Sequence, residues 1–187
     1  FKMFLSGLRP EGIHSKMNDI VQHYIVARFC LKDNLYLIDF LQKIPLLFGG
    51  LPMRCAGIVA EYNPFHRGHA YQIAQTRAAL GGEAAVVCAM SGHWVQQADC
   101  GVADKWTRAR LALMGGADLV LELPTPWATA SAERFARGGV ELLAATGVVD
   151  TLSFGSECGE IGPLAAAAAC LDTEGYRDAL RSRLSQG

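Results

Sequence analysis

Two histidines, His66 and His69, stand three residues apart in the stretch Glu61-Tyr62-Asn63-Pro64-Phe65-His66-Arg67-Gly68-His69. Side chains at that spacing across the start of a helix can face one point, and imidazoles there can donate hydrogen bonds to phosphate oxygens. Gly68 between them has no side chain, so a nucleotide can press against the backbone. Such donors help most where charge builds up, as it does in displacement at an α-phosphate. An arbitrary pair of histidines beside a turn would read as surface solvation or a satisfied cap. Position in the chain changes that reading.

The loop lies between a short apolar run, residues 56–61, that fits a buried parallel strand and a helical stretch, 69–80, that Gly81-Gly82 ends. The alternation continues. Residues 84–90 read as a second strand, and 104–114 as a helix capped by Asp104 and stopped by Gly115-Gly116. A strand at 118–123, a helix at 131–145, a strand at 148–154 and helices at 163–171 and 174–184 follow. Short apolar strands alternating with helices imply right-handed crossovers and an α/β, Rossmann-like parallel sheet of nucleotidyltransferase type. In such sheets the loop after the first strand aims backbone N–H groups and a helix N-terminus at the ligand. No strand follows the last helix, so the domain reads as truncated on its C-terminal side.

With 187 residues, 51% hydrophobic and 19% charged, the chain fits one well-buried domain and an appendage. A formal net charge of −1 argues against holding nucleic acid by bulk electrostatics, although a local basic patch can still steer an RNA. The six cysteines, Cys30, Cys55, Cys88, Cys100, Cys158 and Cys170, form no C-x-x-C pair. They indicate neither a zinc site nor a disulfide framework, and a reduced, cytoplasmic setting is the simpler reading. No uncharged apolar run is long enough to span a membrane, and the N-terminus has no clean export signal.

A seam falls near Met53. Residues 1–52 carry six Lys/Arg against four Asp/Glu and a single alanine, Ala27, whereas the remainder carries eleven against fourteen and only one lysine, Lys105. Such a shift marks separate units. Residues 1–52 therefore read as a helical extension or an upstream translation foreign to the domain, with a partner-binding helix around residues 20–47 as the functional alternative.

From the string Gly57-Ile58-Val59-Ala60-Glu61-Tyr62-Asn63-Pro64-Phe65-His66-Arg67-Gly68-His69 onward, the chain resembles the bacterial tRNA(Met) cytidine acetate ligase family, a branch of the His-x-Gly-His nucleotidyltransferases. The likeness runs from Met53 to about Cys170. It recurs at Met90-Ser91-Gly92-His93-Trp94-Val95-Gln96, at Asp104-Lys105-Trp106-Thr107-Arg108, across 117–124 and at Phe154-Gly155-Ser156-Glu157. It implies that ATP adenylates acetate and that the acetyl group passes to N4 of the wobble cytidine of elongator tRNA(Met). It places the ATP site on Val59, Ala60, Glu61, Tyr62, Asn63, Pro64, Phe65, His66, Arg67, Gly68, His69, Ala70, Tyr71 and Gln72, with Gly155 under the adenine. His66 and His69 are the catalytic phosphate contacts. Lys105 and Arg108, at i and i+3 on one helix, are candidates for phosphate or tRNA contact, against a nearly equal reading as a solvated helix face. No protein ligand set for a metal is assigned, and Mg2+ would accompany ATP.

The chain departs from that family at Gln96-Gln97-Ala98-Asp99-Cys100, where Gln-Arg-Gly-Glu-Pro is common, so a basic side chain is missing. The later serine-and-arginine clamp on the nucleotide and the tRNA-binding region lie beyond the residues present, and the fragment is expected to bind ATP weakly or to be inactive alone. The competing readings are a small-molecule adenylyl- or cytidylyltransferase of cofactor biosynthesis and a non-catalytic nucleotide-binding remnant. The sequence has no P-loop and no G-x-S-x-G elbow. A class I aminoacyl-tRNA synthetase would need a Lys-Met-Ser-Lys-Ser-like loop downstream, and the chain offers only Ser15-Lys16-Met17 upstream.

Overall fold

The computed structural model describes residues 2–6, 25–26, 54–157 and 159–186. Six strands form one sheet: β1 (Lys2–Ser6), β2 (Ile25–Val26), β3 (Cys55–Ala60), β4 (Ala85–Ser91), β5 (Leu119–Leu123) and β6 (Thr151–Gly155). The helices are α1 (Arg67–Ala79), α2 (Lys105–Met114), the single turn α3 (Thr125–Ala128), α4 (Ala132–Ala145), α5 (Ile161–Leu171) and α6 (Glu174–Leu184). The spatial order is β1-β6-β3-β4-β5-β2. Its four central strands are parallel, and β1 and β2 close the two edges antiparallel to β6 and β5. The expected α/β, Rossmann-like parallel sheet is therefore present.

Chain order and spatial order part company at one place. The chain moves outward from β3 through α1 to β4 and through α2 to β5, then returns through α4 to place β6 on the other side of β3. The crevice at the carboxyl ends of β3 and β6 is the topological switch point, where ligands of open α/β sheets bind.

Alternation along β4, buried at all seven positions, builds a core on each face. Val86, Cys88 and Met90 join Ile73 of α1 and Ala109 and Ala112 of α2. Ala85, Val87 and Ala89 join Leu142 and Leu143 of α4. Helix α4 packs closely on Val59 of β3 and on Trp127 of α3 because Gly138 and Gly139 face inward. A Cβ on Gly139 would lie 2.4 Å from a methyl of Val59, and one on Gly138 would lie 2.6 Å from the Trp127 ring. Burial pushes the thiol pKa of Cys55 and Cys88 up to about 12, chiefly through desolvation, so both are inert packing groups.

The amino ends of the strands are pinned by charge. Asp150 accepts from the Cys55 amide and from Arg54 Nε, both at 3.2 Å. Asp118 accepts from the Val86 amide and from Arg77, both at 2.8 Å. This explains one departure from the strand expected at 148–154. Val149 fills the core and Asp150 turns to cap Cys55, so extended pairing starts only at Thr151. A second departure concerns residues 1–52. The two stretches described there, β1 and β2, are sheet edges and not helix; the remainder of the helix expected at 20–47 lies outside the described residues.

The contact at Gly139 gives a stability test with an internal control. Gly139→Ala drives a methyl into β-branched Val59 and is expected to cost about 1–3 kcal/mol in urea denaturation. Gly175 in α6 has open space around its missing Cβ. Gly175→Ala should instead add about 0.4–1 kcal/mol by restricting the unfolded chain.

Candidate active site

Beyond β3 the backbone turns sharply at Tyr62, which adopts a left-handed φ of 47°. Its ring is buried in the core on the α1/α2 side, with the hydroxyl 3.3 Å from Cys88 Sγ. The Asn63–Pro64 peptide is cis. Phe65 then inserts under the end of α2, where a Cβ on Gly115 would come within 2.3 Å of the Phe65 ring. Tyr62 meets Phe65 and His69 edge-on, with ring centroids 5.0 and 4.8 Å apart. Buried Tyr62 and half-buried Phe65 thus anchor the loop that carries the histidines.

Helix α1 starts at Arg67, two residues before the expected start, because the histidines cap it. His66 Nδ1 accepts from the Gly68 amide at 3.1 Å, and His69 Nδ1 accepts from the His66 amide at 3.2 Å. This is a capping box built from imidazoles, with the rings stacked at 3.7 Å. Since both Nδ1 atoms accept, each neutral ring carries its proton on Nε2. The site therefore offers two Nε2–H donors beside a helix N-terminus, a combination suited to anionic oxygens. A Cβ on Gly68 would lie 2.9 Å from the His66 ring. Glycine is needed there for the cap itself as well as for backbone access.

The remaining expected site residues divide by role. Val59 gives its side chain to the core against Gly139, and Ala60 and Ala70 are half-buried. Pro64, Arg67 and Tyr71 are exposed. Gln72 Nε2 donates to Ser153 O at 3.5 Å, and the Thr76 and Ser153 hydroxyls are 2.7 Å apart, so α1 is fastened to β6. Gly155 ends β6 with open space where a Cβ would stand. The structure thus brings the loop, the first turn of α1 and Gly155 to the carboxyl ends of the neighbouring strands β3 and β6.

Glu61 and Asn63 brace a neighbour. Residues 92–103 form a hairpin in which Trp94 bridges Cys100, Val95 N donates to Asp99 O and Gly101 N donates to His93 O. Glu61 Oε1 accepts from the Gln96 amide at 2.8 Å, and Asn63 Oδ1 accepts from the Val102 amide at 2.7 Å. The Gln96–Cys100 departure falls on the tip, where Gln97 and Ala98 hold left-handed φ values of 63° and 58°.

Lys105 and Arg108 of α2 do not share a solvated face. Lys105 Nζ lies 2.6 Å from Glu122 Oε2 with about a fifth of each side chain exposed. Arg108 is fully buried and donates to Ala103 O at 3.1 Å, to Glu61 O at 2.6 Å and to Gly92 O. Sequence reasoning missed this use of Arg108 and the braces on Glu61 and Asn63, because Lys105/Arg108 spacing looks like any surface helix. Among the described residues no three His, Cys, Asp or Glu cluster to hold a metal, and no helix is long and apolar enough to cross a membrane.

A parallel sheet with its switch point beside a His-x-Gly-His helix start defines a nucleotide-handling domain of the Rossmann-like class. A profile of the HIGH nucleotidyl transferase family matches residues 53–187, and the chain belongs to that family. It is 48% identical over 137 residues to the tRNA(Met) cytidine acetate ligase of Syntrophomonas wolfei, covering 72% of this chain and 33% of that protein. It is 48% identical over 130 residues to the enzyme of the same name from Syntrophotalea carbinolica, covering 70% of this chain and 30% of that protein. The crystal structure of Thermotoga maritima TmcAL bound with alpha-thio ATP matches with a TM-score of 0.67 and 41% identity, over 72% of this chain and 33% of that one. The chain spans about a third of the length of these relatives.

The cap makes the site sensitive to acid. Desolvation, and then the neighbouring His66, lower the His69 pKa from its ordinary 6.5. Protonation would place a hydrogen on Nδ1 and break its bond to the His66 amide. Because the folded-state value is the lower one, the contribution to stability is complete above pH 6.5 and declines as pH falls below it, while the unfolded chain takes up the proton first. Imidazole NMR should show Nε2–H tautomers for both rings at pH 8 and a His69 midpoint below 6.5; an Nδ1–H tautomer would contradict the cap.

Proposed function

We propose that residues 53–187 form the ATP-binding unit of a tRNA(Met) cytidine acetate ligase. ATP lies against the loop of residues 61–69 and the first turn of α1, with its adenine over Gly155. The observation that supports this reading most is the pair of Nε2–H donors, fixed by the Nδ1 caps at the switch point. The relatives' shared name and the nucleotide analogue in the Thermotoga structure support ATP and a tRNA as substrates, and the proposed activity adds acetate.

Acetate is unreactive and the cytidine N4 is a weak, conjugated nucleophile, so the acid must first become a mixed anhydride. An acetate oxygen attacks the α-phosphorus, the bond to the β-phosphate oxygen breaks, and pyrophosphate leaves with acetyl-adenylate formed. N4 then attacks the acetyl carbon, AMP departs with the carboxyl oxygen, and N4 loses a proton. The first step brings an anion against a polyanion. His66 and His69 Nε2–H and the positive end of the α1 dipole reduce that repulsion and meet the charge that develops. Lys105 is the candidate on α2 for phosphate or tRNA contact, since about a fifth of its side chain remains exposed beside Glu122. Mg2+ accompanies the triphosphate, with no protein ligands assigned.

Capping and phosphate contact can be separated. His66→Asn keeps an acceptor for the Gly68 amide but removes the Nε2–H, so ATP affinity by calorimetry should fall about tenfold while stability holds. His66→Ala should lose affinity together with about 1 kcal/mol of stability. Undiminished affinity in both variants would remove the loop from the site. In a protein of the relatives' full length, pyrophosphate exchange should depend on acetate. Adenylyl transfer to nicotinate mononucleotide or phosphopantetheine without an acetate response would overturn the ligase reading in favour of a small-molecule transferase.

A further inference from the structure

Arg108 is the largest of the fully buried side chains, and among the described residues its guanidinium hydrogen-bonds to backbone carbonyls alone. Burying a cation this way costs free energy unless its donors are satisfied, and breaking such an arrangement is costly in turn. The three carbonyls are not neighbours in sequence. Glu61 is the residue after β3, Gly92 the residue after β4, and Ala103 the residue before the Asp104 cap of α2. The hairpin also closes tightly over the guanidinium, since a Cβ on Gly101 would lie 3.1 Å from Nη2.

We infer that Arg108 is the positioning residue of the site: its planar fork fixes the carboxyl ends of β3 and β4 and the root of α2 in one arrangement, and thereby fixes the loop that carries His66 and His69. This inference rests on the ATP-binding reading only for its functional consequence. The route is short. Glu61 is held twice, by its carbonyl on Arg108 and by its carboxylate on the Gln96 amide, and Asn63 is held on the Val102 amide. Releasing the carbonyl frees the loop from its root, and the histidines ride on that loop. A lysine keeps the charge but presents its donors from one point and lacks the spread fork.

The test uses Arg108→Met and Arg108→Lys in the full chain, with amide exchange, imidazole titration and calorimetry with ATP. In Arg108→Met the Gln96 and Val102 amides should exchange about tenfold faster, whereas the Val86 amide, held by Asp118 at the opposite end of the strands, should change little. The His69 midpoint should rise toward 6.5 as its surroundings loosen, and ATP should bind about tenfold more weakly. Arg108→Lys should recover these signals in part, and it decides the question by the same readouts if the methionine variant does not fold. Unchanged brace amides and His69 midpoint would overturn the inference, as would equal acceleration of all amides including Val86. If the amides and His69 respond while the unsubstituted protein binds no ATP, the positioning role stands and the ATP-binding reading fails.

Discussion

Everything at the switch point depends on two nitrogen lone pairs. By accepting backbone N–H groups, the Nδ1 atoms of His66 and His69 start α1, fix the tautomer of both rings and determine which nitrogens remain as donors. A serine or aspartate could cap the helix equally well. Neither would leave an N–H donor on its far side. The requirement reaches the neighbouring residues. Gly68 must lack a side chain to admit the His66 ring, and Tyr62 and Phe65 must pack into the core to hold the loop that carries that ring.

A second layer holds this arrangement from beneath. Parallel strands end with carbonyls that face nothing regular, and near a polyphosphate such oxygens are unfavourable. Arg108 draws two of them, on Glu61 and Gly92, inward together with the Ala103 carbonyl at the root of α2, and Glu61 and Asn63 turn side-chain oxygens away toward the hairpin amides. Arg108 is itself pushed toward deprotonation by burial, with Asp104, Glu61 and Glu122 acting against that. It stays charged, since an arginine does not lose its proton in a protein. The Lys105–Glu122 pair and the Arg108 fork thus divide the work of one basic helix: the first reaches the surface and the second does not.

The fold was legible wherever periodicity was strong. The apolar run of β4 reads as a central strand because both of its faces are covered, and the glycine pairs that close α1 and α2 stand where the backbone takes a positive φ, at Gly81, Gly82 and Gly116. Boundaries moved where a side chain acted on backbone. His66 pulled the start of α1 back to Arg67, and Asp150 delayed β6 to Thr151. The His-x-Gly-His loop was legible as chemistry because its residues are adjacent in sequence. Arg108 was not legible, because its three partners are carbonyls, which every residue has, brought together only by folding. The edge strands Lys2–Ser6 and Ile25–Val26 were hidden for a related reason, as strand pairing at a sheet edge leaves little trace in composition.

The placement of the tryptophans gives this domain an optical gauge of its own. Trp94 sits in the braced hairpin and Trp106 in the first turn of the helix that carries Arg108, and both indoles are exposed. Trp127 lies on the other side of the sheet, half-buried against Gly138. Emission from the first two follows the polarity around the hairpin and the start of α2, and the third serves as an interior reference in the same molecule. A rearrangement of the braced hairpin or of the start of α2 can thus be read as a change in colour and quenching, without attaching a dye to the loop that carries the histidines.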